Sequence, residues 1–272
     1  MSSQSPDLQE LKSRMKASWM AGDFGVIARM NEKWGEEFVD RLSLKPGMKV
    51  LDVACGTGNQ SLPAARKGAD VTGLDIATNL LEQARARAAA EGLKINFIEG
   101  DAEELPFADA TFDVVYSMFG AMFAPRPDRV SAELKRVCKP GGLIAMANWT
   151  PQGVPGQIFA VTSKYLPPAP GILPPSFWGV EKIARERFGD DVELKAEKIK
   201  VVAKFEQTPA GVVALFREFF GPTKTTFARL DPKAQQHLAA DIEQVFANAN
   251  YSRDGGTEHD SEYLEVHARK KS

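Results

Sequence analysis

The chain has 272 residues, 43% hydrophobic and 26% charged, which suits one elaborated domain with a substantial core. Its 34 Lys and Arg nearly balance 36 Asp and Glu, for a formal charge of −2, so the basic excess of a nucleic-acid binder is absent. Two cysteines, Cys55 and Cys138, form no CxxC pair, and no stretch approaches the ~20 apolar residues of a membrane span. With no apolar run of a signal peptide at the start, the expected compartment is the cytoplasm.

Trp19, Phe24, Ile27, Met30, Trp34 and Phe38 recur near the helical period, so residues 1–45 read as a helical segment, broken at Gly22 and Gly25. Pro46-Gly47 then changes the period. Lys49 to Ala54 reads as a buried strand ending in the turn Cys55-Gly56-Thr57-Gly58, with a helix expected from Asn59. Asp70 to Asp75 predicts a second strand and Asn79 to Glu91 a helix stopped by Gly92. Ile95 to Ile98 and Asp113 to Tyr116 are further strands. Asp128 to Cys138 is a helix, Lys139 to Gly142 a turn, and Leu143 to Trp149 a fifth strand. This alternation over residues 46–150 predicts a parallel sheet with helices on both faces.

Residues 151–272 read differently. Seven of the 17 prolines fall between Pro151 and Pro175, which forbids one regular helix, although Gln157 to Tyr165 can be a short one. Ile199 to Phe205 alternates like a half-solvated strand. Thr208-Pro209 and Asp231-Pro232 each open a helix, Gly221-Pro222 ends the first, and Tyr263 to Ala268 is the final strand. Two late strands separated by helices predict an antiparallel hairpin at the sheet edge, carrying an insertion.

The chemistry concentrates around Val50-Leu51-Asp52-Val53-Ala54-Cys55-Gly56-Thr57-Gly58-Asn59. Gly56 and Gly58 permit a tight turn and a close approach of ligand to backbone. Asp52 stands where a dinucleotide fold usually has an apolar residue, and Ser61 where it wants Gly or Ala, which disfavours a nicotinamide enzyme. Asp75 ends the second strand, 23 positions after Asp52, close to the ~20-residue offset at which an acid meets a ribose. No GK[ST] follows the glycines, which disfavours a P-loop.

The glycine segment, together with Asp75, Gly100-Asp101-Ala102-Glu103-Glu104-Leu105-Pro106-Phe107, Phe112 to Ser117 and Lys139-Pro140-Gly141-Gly142, resembles the class I S-adenosylmethionine-dependent methyltransferases. Within that class it is most similar to the type 11, ubiquinone/menaquinone-methyltransferase-like subgroup. The resemblance covers residues 48–149. It implies a doubly wound, Rossmann-like, seven-stranded and mostly parallel α/β sheet with an antiparallel C-terminal hairpin and a helical lid. It also implies S-adenosyl-L-methionine as cofactor and S-adenosyl-L-homocysteine as product. The residues it implies for cofactor binding are Asp52, Ala54, Gly56, Gly58, Asn59, Asp75, Ile76, Asp101, Ala102, Ser117 and Met118. Asp52 would orient the amino group, Asp75 the ribose, and Asp101 with the Ala102 amide the adenine, while Ser117 and Met118 would face the methionine portion.

The acceptor wall must come from the less matched parts. Trp19, Phe24, Phe119, Met122, Trp149, Trp178, Phe216 and Phe220 are an aromatic-rich supply suited to a small apolar or aromatic acceptor. A sulfonium-activated methyl needs mainly positioning, so no base is required for an acidic acceptor. Of the three imidazoles, His259 is the candidate catalytic group, placed in a loop before the last strand. No metal site, nucleic-acid partner or membrane span is expected, and the chain is expected to be a monomer or homodimer. The alternative reading is a non-catalytic S-adenosylmethionine-binding scaffold or regulator.

Overall fold

The computed structural model describes residues 8–271, so the first seven residues of the expected N-terminal segment lie outside the described residues. The central strands are β1 (Lys49–Val53) and β4 (Phe112–Met118). Val50, Leu51 and Val53 of β1 and Val114, Val115 and Tyr116 of β4 are buried, as strands covered on both faces must be. β1 and β4 lie in one sheet with β2 (Asp70–Asp75), β3 (Asn96–Glu99), β5 (Cys138–Trp149), β6 (Val192–Phe205) and β7 (Thr257–Lys270). The order is β3-β2-β1-β4-β5-β7-β6. Strands β1 to β5 run parallel, and β7 is antiparallel to both β5 and β6. This is the expected doubly wound sheet. Strand order reverses between β1 and β4, which opens a crevice at their carboxyl ends.

Helices α1 (Leu8–Met20), α2 (Phe24–Met30) and α3 (Glu32–Arg41) precede the sheet. The first break falls at Gly22 as expected; a Cβ there would sit 2.1 Å from the Phe219 carbonyl oxygen. Gly25 instead lies inside α2, whose cap Asp23 accepts from its amide at 3.1 Å, and the second break is at Asn31. Helix α3 lays Phe38 edge-on against Tyr116, with centroids 5.9 Å apart. Its last residue, Arg41, grips the buried Glu265 of β7 through two nitrogens, at 2.7 and 2.9 Å.

Helices α4 (Ser61–Arg66), α5 (Thr78–Ala90) and α6 (Pro127–Val137) connect the parallel strands. After β5 come α7 (Val154–Tyr165) and α8 (Glu181–Phe188). The insertion between β6 and β7 holds α9 (Pro209–Phe219), α10 (Gly221–Ala228) and α11 (Pro232–Ala249). Thr208 and Asp231 cap α9 and α11 through the Gly211 and Ala234 amides. Val154, Val212, Phe227, Leu238, Ile242 and Phe246 give these helices a second apolar core.

Three local expectations change. Gly221-Pro222 ends α9 but also begins α10, because a proline in the first helical turn removes no bonded amide. Lys139–Gly142 is not a separate turn; it is drawn into β5 across a register irregularity opposite Phe112 and Val114. Strand β7 begins at Thr257, six residues before the expected start, and β6 at Val192. Thr257, His259 and Ser261 form a buried face of polar residues, which an apolar/polar alternation cannot reveal.

Removal of the Phe38 ring leaves a cavity at a position of 0% exposure. Phe38→Ala is expected to lower the unfolding free energy by about 3–5 kcal/mol, read from urea denaturation. A loss under about 1 kcal/mol would show that α3 does not anchor the sheet.

Candidate active site

The glycine turn at the end of β1 is built from left-handed residues: Ala54 at φ +57°, Gly56 at +54° and Gly58 at +83°. For Ala54 this geometry costs on the order of 1–2 kcal/mol. Gly120 packs directly on it, and a Cβ there would come within 2.5 Å of the Ala54 oxygen. The two turn glycines do different work. Gly56 faces a cavity, and a Cβ there would meet only the Phe24 ring at 3.7 Å. Gly58 lies off the cavity and lets the turn pack on α4, since its Cβ would sit 2.8 Å from Leu62.

Asp75, at the end of β2, ties this turn to the next. Its Oδ2 accepts from the Gly56 amide and its Oδ1 from the Ala77 amide, each at 2.8 Å. Burial pushes its pKa up against the opposing pull of these amides. Beneath the turn, Asp52 accepts from Ser61 Oγ at 2.6 Å, while its Oδ1 has no partner among the described residues. Burial raises Asp52 to about 7, with the Ser61 bond opposing and the Asp75 charge adding to the rise. Asp101 accepts from the Glu103 amide at 2.8 Å and pairs with Lys12 of α1, which also reaches Glu103 at 2.6 Å.

The cavity, of about 400 Å³, opens at these acids. Ala54, Gly56, Asn59, Asp75, Ile76, Asp101, Ala102 and Met118 line it. Asn59 is already held, giving to the Ala28 carbonyl and taking from Arg87, both at 2.7 Å. Asp52, Gly58 and Ser117 are not on its wall. Consecutive strand residues point to opposite faces, so Ser117 and Met118 cannot both reach it. Ser117 Oγ instead accepts from the Ala121 amide at 3.0 Å.

Beyond the acids the wall becomes aromatic. Phe119 (φ +60°) stacks on Trp149, with centroids 3.7 Å apart and planes 8° from parallel. Trp19, Phe24 and Phe220 close one side by edge contacts of 5.5–5.9 Å, and Phe216 continues that wall. Met122 and Trp178, expected on this wall, are core residues at 2% and 1% exposure, Trp178 lying under the Arg187 guanidinium. Sequence reasoning missed Phe123, Phe205 and Phe246, which line the cavity together with Phe159. Phe205 ends a strand and Phe246 follows the apolar stripe of α11, so both patterns were visible as core but not as cavity.

His259 is buried in β7, not solvated in a loop, and it faces the cavity. Its Nδ1 lies 3.4 Å from Ser261 Oγ, and its Nε2 has no partner among the described residues. Burial lowers its pKa, which keeps the imidazole neutral near pH 7.

Residues 51–146 match the family described as "Methyltransferase domain". An uncharacterized protein of Mycobacterium tuberculosis is 38% identical over 266 residues, covering 97% of this chain and 96% of its own length. Methyltransferase GfsG of Streptomyces halstedii is 39% identical over 130 residues, 47% of each chain. A solved putative methyltransferase from Bacillus halodurans shares the fold at TM-score 0.59 and 21% identity, with 88% of this chain and 99% of that one covered. The chain belongs to the class I S-adenosylmethionine-dependent methyltransferases.

As a methyltransferase of this class it takes its methyl group from a cationic donor, and the protonation of its buried acids therefore bears on function. Folded Asp52 keeps its proton up to about pH 7, whereas the unfolded chain releases it near 3.8. Between those values the folded state binds the extra proton, so stability falls as pH rises. Asp52→Asn is neutral throughout. Its unfolding free energy in urea is expected to decline less steeply than the parent's between about pH 4 and pH 7. Equal slopes would show that Asp52 is ionised across the whole range.

Proposed function

We propose that this methyltransferase moves the methyl group of S-adenosylmethionine to a small, apolar or aromatic acceptor held between Phe119, Trp149 and the helices above them. One observation carries the reading: a single cavity runs without interruption from the acids at 75 and 101 into the aromatic chamber.

The residues present suit the donor. Asp75 spends one lone pair of each oxygen on a backbone amide and faces the cavity with the remainder, which fits two ribose hydroxyls. Asp101 fits an adenine amino group, with the Ala102 amide beside it and Ile76 offering an apolar face. The Ala54–Gly56 turn leaves room for the amino-acid tail, and the unpartnered Asp52 Oδ1 below it suits a cationic neighbour reached through the turn. Bound there, the donor supplies a methyl carbon activated by sulfonium.

The protein's part is alignment and exclusion of water. The acceptor's nucleophilic atom shares its lone pair with the methyl carbon, the carbon–sulfur bonding pair stays on sulfur, and the proton of a neutral acceptor passes to solvent as the product leaves. Phe119 and Trp149 fix the acceptor's plane, and an apolar wall removes the solvent that would otherwise stabilise the nucleophile. Residues 8–45 together with 151–190 and 208–250 serve as the lid. Helix α1 already spans the donor end through Lys12 to Asp101 and Lys16 to Glu99, and it joins α10 through Ser18 and Thr225 at 2.8 Å.

Loss of hydrogen bonds to a charged partner is worth about 1.5–3 kcal/mol, or roughly 10- to 100-fold in affinity. Asp75→Ala is expected to weaken S-adenosylmethionine binding by that factor in calorimetry, and unchanged affinity would remove the contact scheme. Release of S-adenosylhomocysteine across a panel of phenols, quinols, amines and thiols tests turnover. Turnover confined to charged, non-aromatic acceptors would overturn the acceptor class.

A further inference from the structure

We infer that His259 and Ser261 do not act on the transferred methyl group but bind an uncharged oxygen at the far end of an elongated acceptor. This rests on the reading of the aromatic chamber as the acceptor site, and it deepens that reading.

The position of His259 follows from strand register. Trp149, the last residue of β5, pairs with Tyr263 of β7. Phe119, the first residue after β4, stacks on Trp149. This level is the carboxyl edge of the sheet, where the proposed reaction takes place. Strand β7 reaches that level only after crossing five residues, Thr257 to Ser261, whose ladder partners all lie in β6. His259 is four residues beyond Tyr263, which at ~3.3 Å per residue puts its Cα roughly 13 Å above the edge. An imidazole at that height lies outside hydrogen-bond reach of a nucleophile attacking at the level of Phe119.

What the imidazole can do there is set by its surroundings. His259 and Ser261 share the buried face of β7, opposite Ala203 and Val201 of β6. The His259 ring packs beside both Phe205 and Phe246, with centroids at 6.1 and 5.7 Å, and the two phenyl rings touch each other at 6.3 Å. A buried ring nitrogen without a partner among the described residues is unfavourable, a penalty that a ligand removes by bonding to it. Charged partners are disfavoured in a pocket of phenyl rings, where an unpaired ion is costly to desolvate. A hydroxyl or carbonyl oxygen serves either tautomer of the ring: it accepts from Nε2–H, or, as a hydroxyl, donates to Nε2. The acceptor is therefore a rod, with its nucleophile between the strand ends and a neutral oxygen function at the opposite end.

Two rigid probes separate this from a merely structural histidine: 4,4′-dihydroxybiphenyl and 4-hydroxybiphenyl, which differ by one distal hydroxyl. Each is titrated by calorimetry into the full-length protein saturated with S-adenosylhomocysteine. The parent is expected to prefer the dihydroxy probe by about fivefold or more. His259→Leu should bring the ratio to about one, and His259→Asn should keep part of the preference. Affinity for S-adenosylhomocysteine is measured in each variant and reports whether it has folded. An equal ratio in the parent and His259→Leu would overturn the inference, as would a parent with no preference, including one that binds neither probe. Failure of the parent to bind S-adenosylhomocysteine would instead remove the methyltransferase reading of the cavity.

Discussion

The bond from the Gly56 amide to Asp75 is the constraint on which the site depends. It joins the turn after β1 to the end of β2, so the glycine backbone and the acid are held at one fixed separation. A buried carboxylate is expensive unless donors surround it, and here the donors are the backbone amides of Gly56 and Ala77. That arrangement also orders the left-handed residues 54 and 56, which would otherwise relax. Asp52 lies close enough below for the two acids to repel. A cation placed above the turn relieves both burial and repulsion, so the site is electrostatically incomplete in the direction a sulfonium compound completes.

Much of this was legible in the sequence because the parallel strands carry a backbone-level code. Asp52, Gly56, Asp75 and Asp101 each stand at a strand end, and strand ends are fixed by apolar runs that any β/α alternation exposes. Errors arose where the code concerns the direction of one side chain. Ser117 and Met118 are adjacent, and nothing in their identities says which faces the crevice; the Ala121 amide decides it. Gly58 looks identical to Gly56 in the motif, yet one serves helix packing and the other the cavity. Trp178 and Met122 are as aromatic or apolar as the wall residues, and only tertiary packing separates core from chamber.

The second half of the chain was harder to read for a different reason. Its helices α9 to α11 are inserted into the β6–β7 hairpin, and the hairpin must project past the sheet edge to carry them. The projecting part has one side on solvent and one on a cavity, so its inner face holds His259 and Ser261 where a core strand would hold Val or Ile. Polar residues on an inner face look like loop to a hydrophobic pattern. The misassigned start of β7 and the misplaced His259 are thus one error, and its cause is the presence of a binding chamber.

The charge layout of the cavity then has a direction. Ionisable carboxylates at 52, 75 and 101 cluster at the end where a cation is expected, and Lys12 balances only the outermost of them. The opposite end offers a histidine held neutral by burial and a serine hydroxyl among phenyl rings. An anionic acceptor would meet no counter-charge there among the described residues, and a cationic one would be drawn toward the donor's own acids. On the proposed function, a neutral, flat acceptor avoids both penalties and gains from packing against Phe119, Trp149 and the helices above them. Under that proposal, selection follows from where charge is absent as much as from which groups are present.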